Sequence, residues 1–206
     1  MEGSEPGSHW QNVYASKDAA NVSWFQSSPE PSLRMIHKTG LAAGARAIDV
    51  GGGASSLVDH LLDDGFRMTV LDVADSALDV ARSRLGVRAR DVTWIAADIT
   101  AWRPTETFDL WHDRAVFHFL TEPDQRARYI EALKSSLAPS GWLIMATFAP
   151  SGPETCSGLP VHRWSASGLA AELGDAFHLI ESEEETHETP SGSRQVFTWA
   201  LFRRGP

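Results

Sequence analysis

The sequence predicts an α/β fold, a mostly parallel sheet with helices packed on both of its faces. Three observations carry that prediction. Short apolar runs alternate with amphipathic stretches from Ala45 to Leu173, the pattern that a parallel sheet with crossover helices needs. The last two apolar runs, Phe177–Ile180 and Val196–Phe202, have no helix between them and predict an antiparallel hairpin at one end of the sheet. Three adjacent glycines, Gly51-Gly52-Gly53, fall where a strand gives way to a helix, so the backbone can turn sharply and come close to a ligand.

Each element follows in order. Residues 1–8 are dominated by Gly, Ser, Glu and Pro and read as a mobile start, followed by Trp10, Tyr14, Trp24 and Phe25. Ser28-Pro29-Glu30-Pro31 leads into a helix with Leu33, Ile36 and His37 at helical spacing, bracketed by Gly40 and Gly44. Ala45–Val50 is a buried strand. Leu57, Val58, Leu61 and Leu62 share one helix face, and Gly65 stops it. Met68–Leu71 is the second strand, and Asp75 caps a helix carrying Leu78, Ala81 and Leu85 that ends at Gly86. Val92–Ala96 and Phe108–His112 are the third and fourth strands. Tyr129, Ile130, Leu133 and Leu137 mark a longer helix closed by Pro139 and Gly141, and Trp142–Phe148 is the fifth strand. Ser165 caps a helix through Leu173 that Gly174 stops. Thr189-Pro190-Ser191-Gly192 has the chemistry of the hairpin loop, and the acidic run Glu181–Glu185 reads as a solvated strand edge or hairpin.

Composition narrows the function. The 206 residues suit one domain with a core that needs neither disulfide nor metal. The net charge is -9 with 18 Lys and Arg, a poor match to a phosphate backbone, so no nucleic-acid partner is expected. No apolar run is long enough to span a bilayer, so no membrane partner is expected either. The acidic start is neither a secretory signal nor a transit peptide, which sets a cytoplasmic location as the expectation. Cys156 is the single cysteine, and His112, His118 and His162 lack metal-ligand spacing, so no metal is assigned.

The segment Asp49-Val50-Gly51-Gly52-Gly53-Ala54-Ser55-Ser56 holds the most information. A helix that follows such a turn offers unpaired N–H groups, at the strand ends where open α/β sheets bind ligands. Asp72 ends the second strand, placed to accept the two hydroxyls of a ribose, and Asp98 follows the third, where a side chain can meet an adenine edge. Each acid alone could be a helix cap, but three after successive strands are harder to explain structurally. A nicotinamide dehydrogenase would also use a glycine turn with Asp72. It would want glycine where Ser56 stands and a Tyr-x-x-x-Lys pair, which neither Tyr14 nor Tyr129 begins.

On these residues the sequence resembles the class I S-adenosylmethionine-dependent methyltransferases over roughly residues 30–204, with Ser55 in place of the third glycine of the acid-x-Gly-x-Gly-x-Gly turn. The resemblance implies a Rossmann-like seven-stranded sheet of order 3-2-1-4-5-7-6 with strand 7 antiparallel. It also implies S-adenosyl-L-methionine as cofactor and S-adenosyl-L-homocysteine as product. It implies a cofactor site of Trp24, Asp49, Gly51, Gly53, Ser55, Asp72, Val73, Asp98, Ile99 and His112. Residues 1–30 form an N-terminal segment that can close over the cofactor, with Trp10 and Trp24 as lid aromatics, and residues 31–206 form the methyltransferase domain.

The junction after strand four, Trp111-His112-Asp113-Arg114-Ala115-Val116-Phe117-His118, faces the methyl group in that family, and its candidate catalytic residues are Asp113, Arg114 and His118. The plain structural reading makes Asp113 and Arg114 an ion pair and His118 a core residue. Arg114 could instead lower the pKa of a thiol acceptor, and His118 or Asp113 could serve as base for an amine. The loop Ala149–Arg163 lies at the same end and can close over the acceptor; its Cys156 is read as a small packed side chain. Asp113-Arg114 and the loop after strand five resemble the thiopurine and thiol methyltransferases, which implies a small soft nucleophile as acceptor: a thiol, selenol or halide. Trp24-Phe25 and the Asp-x-Gly-x-Gly-x-Ser turn resemble the citrate synthase lysine methyltransferases, which implies a protein substrate as the alternative. A catalytically silent cofactor-binding protein is the reading from another class.

Overall fold

The computed structural model describes residues 9–11, 26 and 28–206. Helix α1 (Glu30–Lys38) leads to strand β1 (Arg46–Val50), α2 (Leu57–Asp63), β2 (Arg67–Asp72), α3 (Asp75–Leu85), β3 (Val92–Ala96) and β4 (Phe108–Arg114). Then come α4 (Pro123–Ser136), β5 (Leu137–Phe148), a two-rung hairpin of β6 (Thr155–Cys156) and β7 (Leu159–Pro160), α5 (Ala166–Leu173), β8 (Phe177–Glu188) and β9 (Arg194–Arg204).

The sheet order is β3-β2-β1-β4-β5-β9-β8, with β9 antiparallel to both of its neighbours. This is the 3-2-1-4-5-7-6 order that the resemblance implied. β1 is buried along Ala47–Val50 because it has neighbours on both edges and helices on both faces. Two apolar clusters divide the core. Leu33 and Ile36 of α1, Leu57 and Leu61 of α2 and Leu78 of α3 pack on one face with Leu110 and Trp199. Tyr129 and Leu133 of α4 and Leu169 and Leu173 of α5 pack on the other with Trp111 and Phe202. Each large side chain so buried contributes about 1.5–3 kcal/mol.

Several local expectations hold. Ser165 Oγ accepts from the Gly168 N–H at 3.1 Å at the start of α5, and Gly86 and Gly174 end α3 and α5 with positive φ. The acidic run lies in β8, where burial alternates. Glu183 and Glu181 pair with Arg34 and Lys38 of α1, and Glu185 accepts from Trp199 Nε1 at 2.9 Å.

Others are corrected. Asp75 is the first residue of α3 rather than its cap, and its carboxylate pairs instead with Arg82. Leu137 opens β5 rather than closing α4, and the strand runs through Pro139 because Leu137 pairs with Phe108 across an irregular register. The hairpin strands are longer than their apolar cores, since the alternating acidic stretch pairs as well as the apolar one. β4 extends to Arg114, which puts Asp113 and Arg114 inside a strand. Strand alternation then turns them to opposite faces, and they form no ion pair with each other.

Candidate active site

The carboxyl ends of β1, β2, β3 and β4 surround a cavity of about 300 Å³. Leu71 O accepts the Gly51 N–H at 2.7 Å, and Asp72 O accepts the Ala97 N–H at 2.9 Å, so three strand ends are tied rung to rung at its rim. Gly51 has φ +70, and a Cβ there would stand 2.1 Å from Val116 Cγ2. Gly52 is equally constrained, because a Cβ would meet Asp49 Oδ2 at 2.6 Å and Val70 Cγ1 at 2.7 Å. Glycine is therefore required twice, once by backbone conformation and contact and once by contact alone. Arg84 of α3 holds the far end of the turn, donating to the carbonyls of Ala54 at 3.0 Å and Ser55 at 2.7 Å.

Six of the expected site residues line the cavity: Gly51, Asp72, Val73, Asp98, Ile99 and Arg114. Asp72 Oδ1 accepts from the Ala74 N–H at 2.8 Å, and burial raises its pKa to about 7 against the opposing pull of backbone donors. Asp98 Oδ1 accepts from the N–H and hydroxyl of Thr100, both at 2.8 Å, which fixes its loop. Arg114 stands 5.0 Å from the Phe197 ring centroid, and desolvation lowers its pKa to about 10, which leaves it cationic at neutral pH.

The structure sets the remaining ones behind the wall or beside it. Asp49 and His112 pair with each other: His112 Nδ1 lies 2.7 Å from Asp49 Oδ1 and Nε2 lies 3.0 Å from Ser32 Oγ. A carboxylate only accepts, so Nδ1 carries the hydrogen of that bond. Ser55 Oγ accepts from the Leu57 N–H at 3.2 Å and starts α2. Gly53 gives its N–H toward Asp72. Asp113 is fully buried and accepts from Tyr129 Oη at 2.6 Å and from the Val116 N–H at 2.9 Å. His118 is also fully buried; its Nδ1 accepts from the Phe148 N–H at 3.2 Å, and burial pulls its pKa down to about 3. Neither lines the cavity, so the structure does not bring them to the residues that do. Trp24 lies outside the described residues.

The far wall comes in part from the loop Ala149–Arg163, expected at this end, while Phe119 and Thr121 were missed by sequence reading. Phe119, Leu159, Pro160 and Thr121 line it, together with Cys156, which the β6–β7 hairpin carries there. Positive φ at Ser157 and Gly158 makes that hairpin turn. The Ser-Gly pair is the local signal that could have located it. Trp10 joins the wall edge-on to Phe119, with ring centroids 5.1 Å apart, and His9 stands beside it.

A family model described as a methyltransferase domain matches residues 47–141, from β1 through the start of β5. Nodulation protein S of Bradyrhizobium diazoefficiens is 31% identical over 161 residues, which cover 78% of this chain and 72% of that protein. The chain belongs to the class I S-adenosylmethionine-dependent methyltransferases. Thiocyanate methyltransferase 1 of Arabidopsis thaliana is 27% identical to this methyltransferase over 183 residues, covering 85% of this chain and 78% of that one. Among solved structures, the N-methyltransferase NodS of Bradyrhizobium japonicum WM9 with S-adenosyl-L-homocysteine shares its fold at TM-score 0.73. The two are 20% identical, covering 98% of this chain and 100% of that one.

S-adenosylmethionine is the cofactor of this methyltransferase. The residues present fit it: an acid at the end of β2, a second acid beyond β3 and the Gly51 turn all line one cavity. Among the described residues no group of side chains is arranged to hold a metal, and no helix is long and apolar enough to cross a membrane.

Proposed function

We propose that this methyltransferase acts on a small soft nucleophile, a thiol or a polarisable anion of thiocyanate type. The observation that supports it is the makeup of the cavity beyond the glycine turn. Arg114 supplies a cation there, among Phe119, Cys156, Leu159 and Pro160, while the carboxylates that line the cavity among the described residues are Asp72 and Asp98, at the ends of β2 and β3. A thiolate or similar anion carries its own electron pair and needs no base. It needs a fixed positive charge and a dry wall, and Arg114 with the β6–β7 hairpin offers both. The relation to thiocyanate methyltransferase 1 supports the same reading.

Bound S-adenosylmethionine supplies an electrophilic methyl group on a sulfonium. Asp72 would hold the ribose hydroxyls, Asp98 and Ile99 the adenine, and the Gly51 turn the methionine portion. Val116 and Phe119 would exclude water from the line between nucleophile and methyl, which favours an in-line approach. Asp49 and His112 would act through the glycine turn rather than by touching the cofactor. Trp10, edge-on to Phe119, would add an aromatic wall to the site.

Arg114→Ala and Arg114→Lys test this. With an anionic acceptor, Arg114→Ala should raise KM about tenfold or more and Arg114→Lys should recover part of it, since one desolvated charge contact is worth about 1.5–3 kcal/mol. A neutral acceptor treated the same way should change little. Equal effects on anionic and neutral acceptors would sink the assignment. A small amine is the second reading. It is favoured by the 31% identity to Nodulation protein S and would bring the N-methyl chemistry named for NodS, with a protein lysine as a larger version of the same acceptor.

A further inference from the structure

We propose that Asp113 is a positioning residue for methyl transfer, anchoring the turn after β4 that presents Val116 and Phe119 to the cavity. The proposal rests on the placing of the cofactor against the Gly51 turn given above, and not on the class of acceptor. Asp113 Oδ1 accepts from the Val116 N–H at 2.9 Å, and Oδ2 accepts from the Phe117 N–H at 3.2 Å and from Tyr129 Oη at 2.6 Å. Trp111 Nε1 in turn donates to Tyr129 Oη at 2.9 Å. The chain of donors ends on one buried carboxylate, and α4 is thereby coupled to the backbone of the turn.

The turn needs such an anchor. Ala115 has φ +74, a left-handed conformation that an L-residue with a Cβ adopts at a cost. Its N–H is held by Ala146 O at 2.8 Å, and Val116 Cγ2 then comes to rest against Gly51. Without acceptors at Asp113, the buried N–H of Phe117 and the partly buried N–H of Val116 would lose their partner, and relaxation of Ala115 would restore neither. The relaxed turn would carry Val116 away from the cofactor wall. The expected consequence is a loss of cofactor affinity without loss of fold.

The test uses the full chain. Asp113→Asn replaces one acceptor by an NH2 that faces donors on either side. Affinity for S-adenosyl-L-homocysteine, measured by calorimetry where circular dichroism reports folded protein, should fall about tenfold, the scale set by one unsatisfied buried group. Adding Ala115→Gly should bring it back to within about threefold of the parent, because glycine holds φ +74 without help. Tyr129→Phe removes one donor and should cost about threefold. An Asp113→Asn protein that melts earlier but binds within about twofold of the parent would overturn the proposal, as would failure of Ala115→Gly to restore binding. If Asp113→Asn does not fold, Tyr129→Phe decides alone, and unchanged affinity there overturns it. The readout is cofactor affinity, so it stands apart from whether the acceptor proves to be an anion.

Discussion

Gly51 and Val116 meet without room for a methyl group between them: a Cβ on Gly51 would stand 2.1 Å from Val116 Cγ2. The first turn of the sheet and the turn after β4 are thus one surface. Gly51→Ala would add that clash to the strain of φ +70, together about 2–5 kcal/mol. Affinity for S-adenosyl-L-homocysteine should drop at least about thirtyfold by calorimetry. Binding within a few-fold of the parent would show that the turn is not the cofactor wall.

Asp72 gives a pH dependence with a definite sign. Burial raises its pKa to about 7, and only the ionised carboxylate can accept both ribose hydroxyls. Cofactor affinity should therefore fall about tenfold as pH is lowered from about 8 to about 6. Stability of the protein without cofactor should move the other way, since a raised folded pKa contributes stability at low pH that is lost as pH rises through about 7. Asp72→Asn should flatten both profiles. Calorimetry and thermal melts across that range read them, and a flat affinity profile for the parent would contradict the ribose assignment.

His112 joins Asp49 at 2.7 Å and Ser32 at 3.0 Å, linking α1, β4 and β1 behind the glycine turn. Both side chains of the His112–Asp49 pair are 4% exposed, so the bond is little screened. His112→Ala should cost about 1.5–3 kcal/mol in stability by denaturant unfolding, and Ser32→Ala about 1 kcal/mol. A smaller effect from His112→Ala than from Ser32→Ala would contradict the chain of contacts.

Trp10 tests the aromatic part of the cavity wall. Its ring packs edge-on against Phe119 at 5.1 Å, an aromatic contact worth about 0.5–1.5 kcal/mol beyond its area. Trp10→Ala should weaken S-adenosyl-L-homocysteine binding about threefold to tenfold. Unchanged affinity would show that Trp10 is not part of the cofactor wall.

The glycine turn, Asp72, Asp98 and Ile99 were legible because each sits where a strand ends, a feature carried by local sequence. The same holds for the hairpin, whose turn residues lie between two apolar runs. The burial of Asp113 and His118 was not legible locally because their partners, Tyr129 and Phe148, lie 16 and 30 residues away. Strand alternation also separates Asp113 from Arg114, and it took effect only once β4 proved long enough to include both. The early start of β5 follows from pairing with Phe108, which no local pattern around Pro139 announces. The place of the loop that carries Leu159 and Pro160 was legible, but its hairpin of two rungs is too short to leave a periodic signal.

The central claim is the class of acceptor, and the fate of a labelled methyl group tests it most directly. The full chain would be given methyl-labelled S-adenosylmethionine with thiocyanate, small thiols, small amines and a protein lysate together. Label in volatile or small sulfur products, diminished by Arg114→Ala, is the predicted result. Label on amines or on protein, with none on sulfur, would contradict the account.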